Sequence, residues 1–142
     1  MIDTMDPAQL FCTFNGFLLG GFADGTFISV ERNEDTWIPY VGADGEYARA
    51  RNRNRSGRIK FTLMQTSSSN DYLSAQAAAD ELTGSNTGVV QIKDGLGRTL
   101  INGADAYVLK PAVVEFGKEL TTREWTIEVP QLDVTIGGNG PT

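Results

Sequence analysis

Arg123-Glu124-Trp125-Thr126-Ile127-Glu128-Val129, followed after Pro130 by Leu132-Asp133-Val134-Thr135-Ile136, is the stretch whose reading decides the fold. Trp125, Ile127 and Val129 alternate with Glu124, Thr126 and Glu128, a period of two that gives an extended chain one apolar and one polar face. A helix would scatter these residues around its circumference. The run therefore predicts a half-buried strand, and Leu132 to Ile136 a second one. Working back along the chain, Arg58 to Thr66 sets Ile59, Phe61, Leu63 and Gln65 against Lys60, Thr62 and Met64. Thr26 to Arg32 sets Phe27, Ser29 and Glu31 against Thr26, Ile28, Val30 and Arg32. Leu10 to Phe14 and Phe17 to Leu19 flank Asn15-Gly16, a pair that tolerates the positive φ angles of a type I′ hairpin turn. Val89 to Lys93 and Thr99 to Ile101 flank Asp94-Gly95-Leu96-Gly97, a second glycine-bearing hairpin loop, and Ala106 to Leu109 reads as a short strand ended by Pro111.

One segment breaks the pattern. Between Ser67 and Leu82 a serine can cap the amide end, Asp71 suits the positive end of the dipole, alanines sustain the middle and Gly84 stands where a left-handed stop belongs. This predicts a helix over about 68–82, with a thin apolar stripe at Leu73 and Ala77 that places it on the outside of a sheet. Many short strands and one helix predict a mainly β fold, an antiparallel β-sandwich or barrel with one flanking α-helix, formed as a single domain over 1–142. A chain of 142 residues, 40% hydrophobic with 16 glycines, is long enough to bury a core without covalent staples.

Composition removes most chemistry. There is no histidine and one cysteine, Cys12, which excludes Ser-His-Asp and Cys-His nucleophilic sites, zinc sites built on His/Cys clusters and an intrachain disulfide. Cys12, inside Leu10-Phe11-Cys12-Thr13-Phe14, reads as a small buried apolar side chain. Lys93-Asp94-Gly95-Leu96-Gly97-Arg98 lacks the Gly-Lys-Ser/Thr ending of a phosphate cradle, and Gly42-Ala43-Asp44-Gly45-Glu46 lacks the ligand series of a calcium loop, so both read as turns. Glu31 with Glu34, and Glu115 with Glu119, read as solvated surface rather than an acid/base pair. No catalytic, cofactor-binding or metal-binding residue is expected. Met1 to Leu10 carries Asp3 and Asp6 and no base, unlike a secretory signal, and Phe17 to Phe22 is too short to span a bilayer. The expectation is a cytoplasmically made chain that starts here, ignores membranes and ends in a flexible tail, Gly137 to Thr142.

The segment Asn33 to Gly57 reads as a long charged loop leaving the core. A net charge of −6 argues against a general DNA or anionic-membrane binder. Within the loop, however, an extended chain puts Arg49, Arg51, Arg53 and Arg55 on one face, with Arg58 just beyond. Such a line of guanidinium groups repels itself unless something negative faces it. Glu31, Glu34, Asp35, Asp44 and Glu46 lie just upstream. Three readings follow from this pattern. Complementary edges could join copies head to tail into rings or filaments; the loop could be merely solvated; or the chain could be a single-stranded nucleic-acid-binding β-barrel using the arginines, although aromatic residues for base stacking are not interleaved with them.

Several stretches together resemble one family. Val41-Gly42-Ala43-Asp44-Gly45-Glu46 precedes the arginine run, and Ser56-Gly57-Arg58-Ile59 leads into Thr62-Leu63-Met64-Gln65-Thr66-Ser67. Ser69-Asn70-Asp71 opens the helix, then come Ile92-Lys93-Asp94 and Phe116-Gly117-Lys118-Glu119 before Arg123-Glu124-Trp125. In order and spacing, over about Phe11 to Gly138, they are similar to the tail-tube, or major tail structural, proteins of contractile-tailed bacteriophages. The resemblance implies a non-enzymatic virion tail protein, assembled in the cytoplasm of a bacterial host. It implies hexameric rings that stack into a hollow tube inside a sheath, with baseplate and tail-terminator proteins at the ends and genomic DNA passing through without specific binding. Strands of six copies would close a barrel around the lumen, which also satisfies exposed strand edges. The long loop resembles the one that reaches a neighbouring copy, and an acidic wall would let DNA slide.

Overall fold

Ten strands and one helix are present among the residues described by the computed structural model, 10–95 and 98–138. In chain order they are β1 (Leu10–Phe14), β2 (Phe17–Leu18), β3 (Ile28–Arg32), β4 (Trp37–Val41), β5 (Tyr47–Arg51), β6 (Gly57–Met64), α1 (Ser69–Thr83), β7 (Gly88–Asp94), β8 (Leu100–Lys110), β9 (Thr122–Val129) and β10 (Gln131–Thr135). Leu96, Gly97, Met1 to Gln9 and the last four residues of the tail lie outside the described residues. Every strand pairing is antiparallel. One sheet runs β2-β1-β7-β8-β10 and the other β3-β6-β9-β8, so β8 belongs to both.

The decisive stretch forms β9 and β10, and β9 lies between β6 and β8. Its inward residues Trp125, Ile127 and Val129 are buried with Ile59, Phe61 and Leu63 of β6. From the other sheet come Cys12, Phe14, Val90, Ile92, Ile101 and Leu132, and from the helix Leu73 and Ala77, all in one cluster. Removing side chains of this size from water contributes roughly 1.5–3 kcal/mol each, ample to hold two sheets face to face. The hairpin turn at Asn15-Gly16 has φ of 53° and 83°, the positive pair that a type I′ turn requires.

Two expectations need correction. The strands expected over Thr99 to Ile101 and Ala106 to Leu109 are not separate but merge into the 11-residue β8, which begins at Leu100. Its first half pairs with β7 and β10, and its second half, from Tyr107, pairs with β9. Between them Asp105 takes φ 58° and the register slips, Gly88 facing Ala106 while Val90 faces Gly103. Asn102-Gly103-Ala104-Asp105 has turn-like composition, but partner strands on both sides keep it extended and reduce the turn to a bulge. Gly103 is required there because a Cβ would strike the Val129 side chain.

The helix runs Ser69–Thr83 and is closed by Gly84 in the left-handed conformation, whose N–H donates to the Asp80 carbonyl at 2.6 Å. Ser68 makes no side-chain cap; the Ser69 amide instead donates to Ser67 Oγ at 3.2 Å. Ser67 Oγ donates to the Gly20 carbonyl, and the Gly20 amide donates to Ser69 Oγ, so the helix start is tied to the chain that follows β2. Tyr72 stacks on Phe17 at 4.1 Å and its hydroxyl donates to the Phe14 carbonyl.

Candidate assembly interface

The second correction concerns the segment expected as a charged loop over about 33–57. It is a two-stranded ribbon, β4 paired with β5 in the register Trp37↔Arg51, Pro39↔Arg49 and Val41↔Tyr47. Its turn is the glycine motif at 42–46, closed by the Gly42 amide donating to the Glu46 carbonyl at 2.7 Å, with Asp44 accepting from the Glu46 amide. A ribbon of two strands gives each a free edge, which is where a proline such as Pro39 is tolerated. Neither strand adds a side chain to the core, and Tyr40, Val41 and Tyr47 are 58%, 67% and 68% exposed.

Pleating sorts the ribbon into two faces. One carries Trp37, Pro39, Val41, Tyr47, Arg49 and Arg51, and the other carries Ile38, Tyr40, Ala48 and Ala50. Arg49 and Arg51 do share a face, as the period of two predicts. What faces them within the chain is a π system: their guanidinium carbons lie 3.7 and 5.2 Å from the Trp37 ring centroid. Such stacking is worth roughly 0.5–1 kcal/mol at an exposed site. Trp37 reaches them from the opposite strand and is not an aromatic interleaved along the arginine run.

The arginine line stops at Arg51, because β5 ends there. Arg53 lies in the irregular stretch before β6. Arg55 pairs with Asp133 at 2.6 Å and Arg58 with Glu128 at 2.8 Å, acids on the outward faces of β10 and β9. Of the five upstream acids, Glu31 sits directly across from Arg58 in the β3–β6 register. Glu34 accepts from the Asn54 amide group, the Asp35 carbonyl accepts from Asn52, and Asp44 and Glu46 build the turn. The structure therefore splits the predicted set. Arg55, Arg58 and Glu31 belong to the ribbon's root on the sandwich, while Arg49 and Arg51 form its cationic face.

That root is densely bonded. Asn33 donates to Glu128 at 2.8 Å and to Ser56 at 3.0 Å, the Arg32 guanidinium donates to the Leu132 carbonyl, and the Leu132 amide donates to the Arg55 carbonyl.

A second unpartnered surface follows β8. Val113, Val114, Phe116 and Leu120 are all more than 60% exposed. The segment is not loose: buried Arg123 and the Thr121 hydroxyl both donate to the Glu115 carbonyl, and the Arg123 guanidinium lies 5.4 Å from the Phe116 ring. A groove beside it is lined by Lys110, Pro111, Val113, Glu115, Glu124 and Thr126. Val113-Val114 was the available signal, an apolar pair outside any alternating run. Cys12, by contrast, is wholly buried, and desolvation pushes its thiol up to about 12, so it serves as packing.

Residues 7–137, nearly the whole fold, match the family described as Bacteriophage PhiTE tail tube protein. The chain belongs to this tail tube family. Family membership makes it a structural protein of the phage tail. The tail tube chain is also 37% identical over 123 residues to Structural protein ORF10 of Pseudomonas phage KPP10, covering 85% of the chain and 71% of that protein. Among solved structures, it is similar to the tube-terminating cap of the anti-feeding prophage, with a TM-score of 0.62, 10% identity and coverage of 95% of the chain and 93% of the cap. It is also similar to a chain of the PVC sheath-tube complex, an extracellular contractile injection system, with a TM-score of 0.57, 11% identity and coverage of 93% and 91%. At these identities the two structures speak for the fold, a mainly β architecture of antiparallel sheets shared with tube and terminator proteins.

Proposed function

We propose that this tail tube protein polymerises as stacked hexameric rings into the inner tube of a contractile phage tail and forms the conduit for DNA delivery. The observation that carries this reading is the ribbon: β4 and β5 project with both faces exposed and bury nothing in their own core. A two-stranded ribbon alone is marginal in water, so its apolar faces need cover from outside the chain. Another copy is the simplest cover, because a projecting element received by a different patch makes a heterologous contact that closes into rings or extends into filaments. The outer edge of β3, which pairs with no strand among the described residues, supports the same reading, since closure of a barrel across copies would satisfy it. The sheath would contact the tube's outside, terminator and baseplate proteins its ends, and DNA its lumen, after assembly in the host cytoplasm. The net charge of −6 suits a wall along which phosphates slide.

The test is electron microscopy of the purified chain over a range of concentrations. Six-fold rings or hollow rods are expected. A dispersed monomer at every concentration would sink the proposal.

A further inference from the structure

We infer that the Trp37–Arg49–Arg51 face of the ribbon seats in the groove beside Val113 on a second copy, where Glu115 and Glu124 receive the two guanidinium groups. This rests on the ring-and-tube reading and adds the identity of the receiving surface.

The Arg49 and Arg51 guanidinium carbons lie 3.7 and 5.2 Å from the Trp37 ring centroid, and neither group donates a hydrogen bond to a described residue, so their N–H groups are available. A guanidinium held in this way is organised for carboxylate recognition, because its planar fork matches two oxygens. Among the described residues Arg49 and Arg51 are bonded to no carboxylate, unlike Arg55 and Arg58. The receiving surface must therefore combine apolar area for Trp37 and Val41 with two accessible carboxylates.

Among the described surfaces the groove after β8 has that combination. Pro111 and Val113 supply apolar area, and Glu115 and Glu124 line the same groove with one base, Lys110, so acids outnumber bases in the lining. Both carboxylates are exposed, and neither forms an ion pair among the described residues. The segment is pinned through Arg123 and Thr121 to the Glu115 carbonyl, so the acceptors are presented on a fixed backbone.

The competing surfaces lack one property or the other. The outward face of the first sheet carries the row Thr13, Gln91, Asn102 and Asp133, whose only carboxylate already belongs to Arg55. The outward side of α1 carries Asp71, Glu81 and exposed Leu82 beside Ala75, Ala78 and Ala79, but its two exposed carboxylates stand about 15 Å apart along the helix axis, too far to receive two guanidinium groups gathered on one ring. Ribbon and groove are different patches of one chain, so each copy can give one contact and receive one. That is the head-to-tail geometry a closed ring or a stacked polymer needs.

Charge exchange tests the pairing. The variants are R49E/R51E and E115R/E124R, each first checked by circular dichroism for a wild-type melting profile. Alone, each places like charges across every contact and is expected to remain unassembled at concentrations where the wild type forms tubes. Mixed in equal amounts they can alternate, and the mixture is expected to form tubes containing both chains one to one. If either variant assembles alone as the wild type does, or the mixture fails to assemble, the pairing is wrong and the tube reading stands. If the wild type itself never assembles, the tube reading fails as well. Should a reversed variant misfold, R49Q/R51Q and E115Q/E124Q replace it; each is expected to raise the concentration needed for assembly at least tenfold, and an unchanged threshold overturns the pairing.

Discussion

Replacing Gly57 by alanine tests how the ribbon is rooted. Gly57 opens β6, where it pairs with Arg32 on one side and Val129 on the other. A Cβ there would lie 2.8 Å from the Glu31 carbonyl oxygen and collide with the Leu132 side chain. Leu132 is wholly buried, and its own backbone is held by the Arg55 carbonyl and the Arg32 guanidinium, so it cannot simply step aside. Overpacking of this kind costs about 1–3 kcal/mol. Reduced freedom of the unfolded chain returns about 0.4–1 kcal/mol. The expected net loss is about 1–2 kcal/mol, or roughly 3–6 °C in melting temperature for a chain of this size. Leu132→Ala alone should cost about 2–5 kcal/mol through the cavity it leaves. In the double variant the new methyl enters that cavity, so the combined loss should fall short of the sum by about 1 kcal/mol. Denaturant unfolding of the unassembled chain, followed by circular dichroism, measures all three. Additive losses, or a neutral Gly57→Ala, would refute the contact as the cause.

Asp105 holds φ 58° at the bulge of β8. Asp105→Val should therefore lower stability by about 1–2 kcal/mol while Asp105→Gly stays near neutral; equal unfolding midpoints for the two would contradict this. Cys12, with its thiol raised to about 12 by burial, should resist alkylation at neutral pH until the chain is unfolded. Because the folded value lies above the unfolded one, its contribution is full below about pH 9 and is lost as pH rises through about 12. Rapid labelling of the folded chain would count against it.

The parts of the fold legible in the sequence are those with one buried face. Ile59, Phe61 and Leu63, and again Trp125, Ile127 and Val129, announce their strands because the core imposes the alternation. Trp37 to Val41 and Tyr47 to Arg51 bury nothing in the chain, so no alternation of burial marked them, and charge density hid the ribbon. Continuity of β8 depended on neighbours on both sides, a tertiary effect that overrode turn-forming composition at Gly103 and Asp105. The shared face of Arg49 and Arg51 was legible from spacing alone. The partners of Arg55 and Arg58 were not, because they stand 78 and 70 residues away in sequence.

Because β8 is a member of both sheets, the two layers are joined by main-chain hydrogen bonds as well as by side-chain packing. Sliding one layer over the other would require shearing a strand ladder, not merely slipping apolar surfaces past each other. A pull on the ribbon is then passed into both layers through the bonds at its root, Asn33 to Glu128 of β9 and Arg55 to Asp133 of β10, rather than being taken up between them.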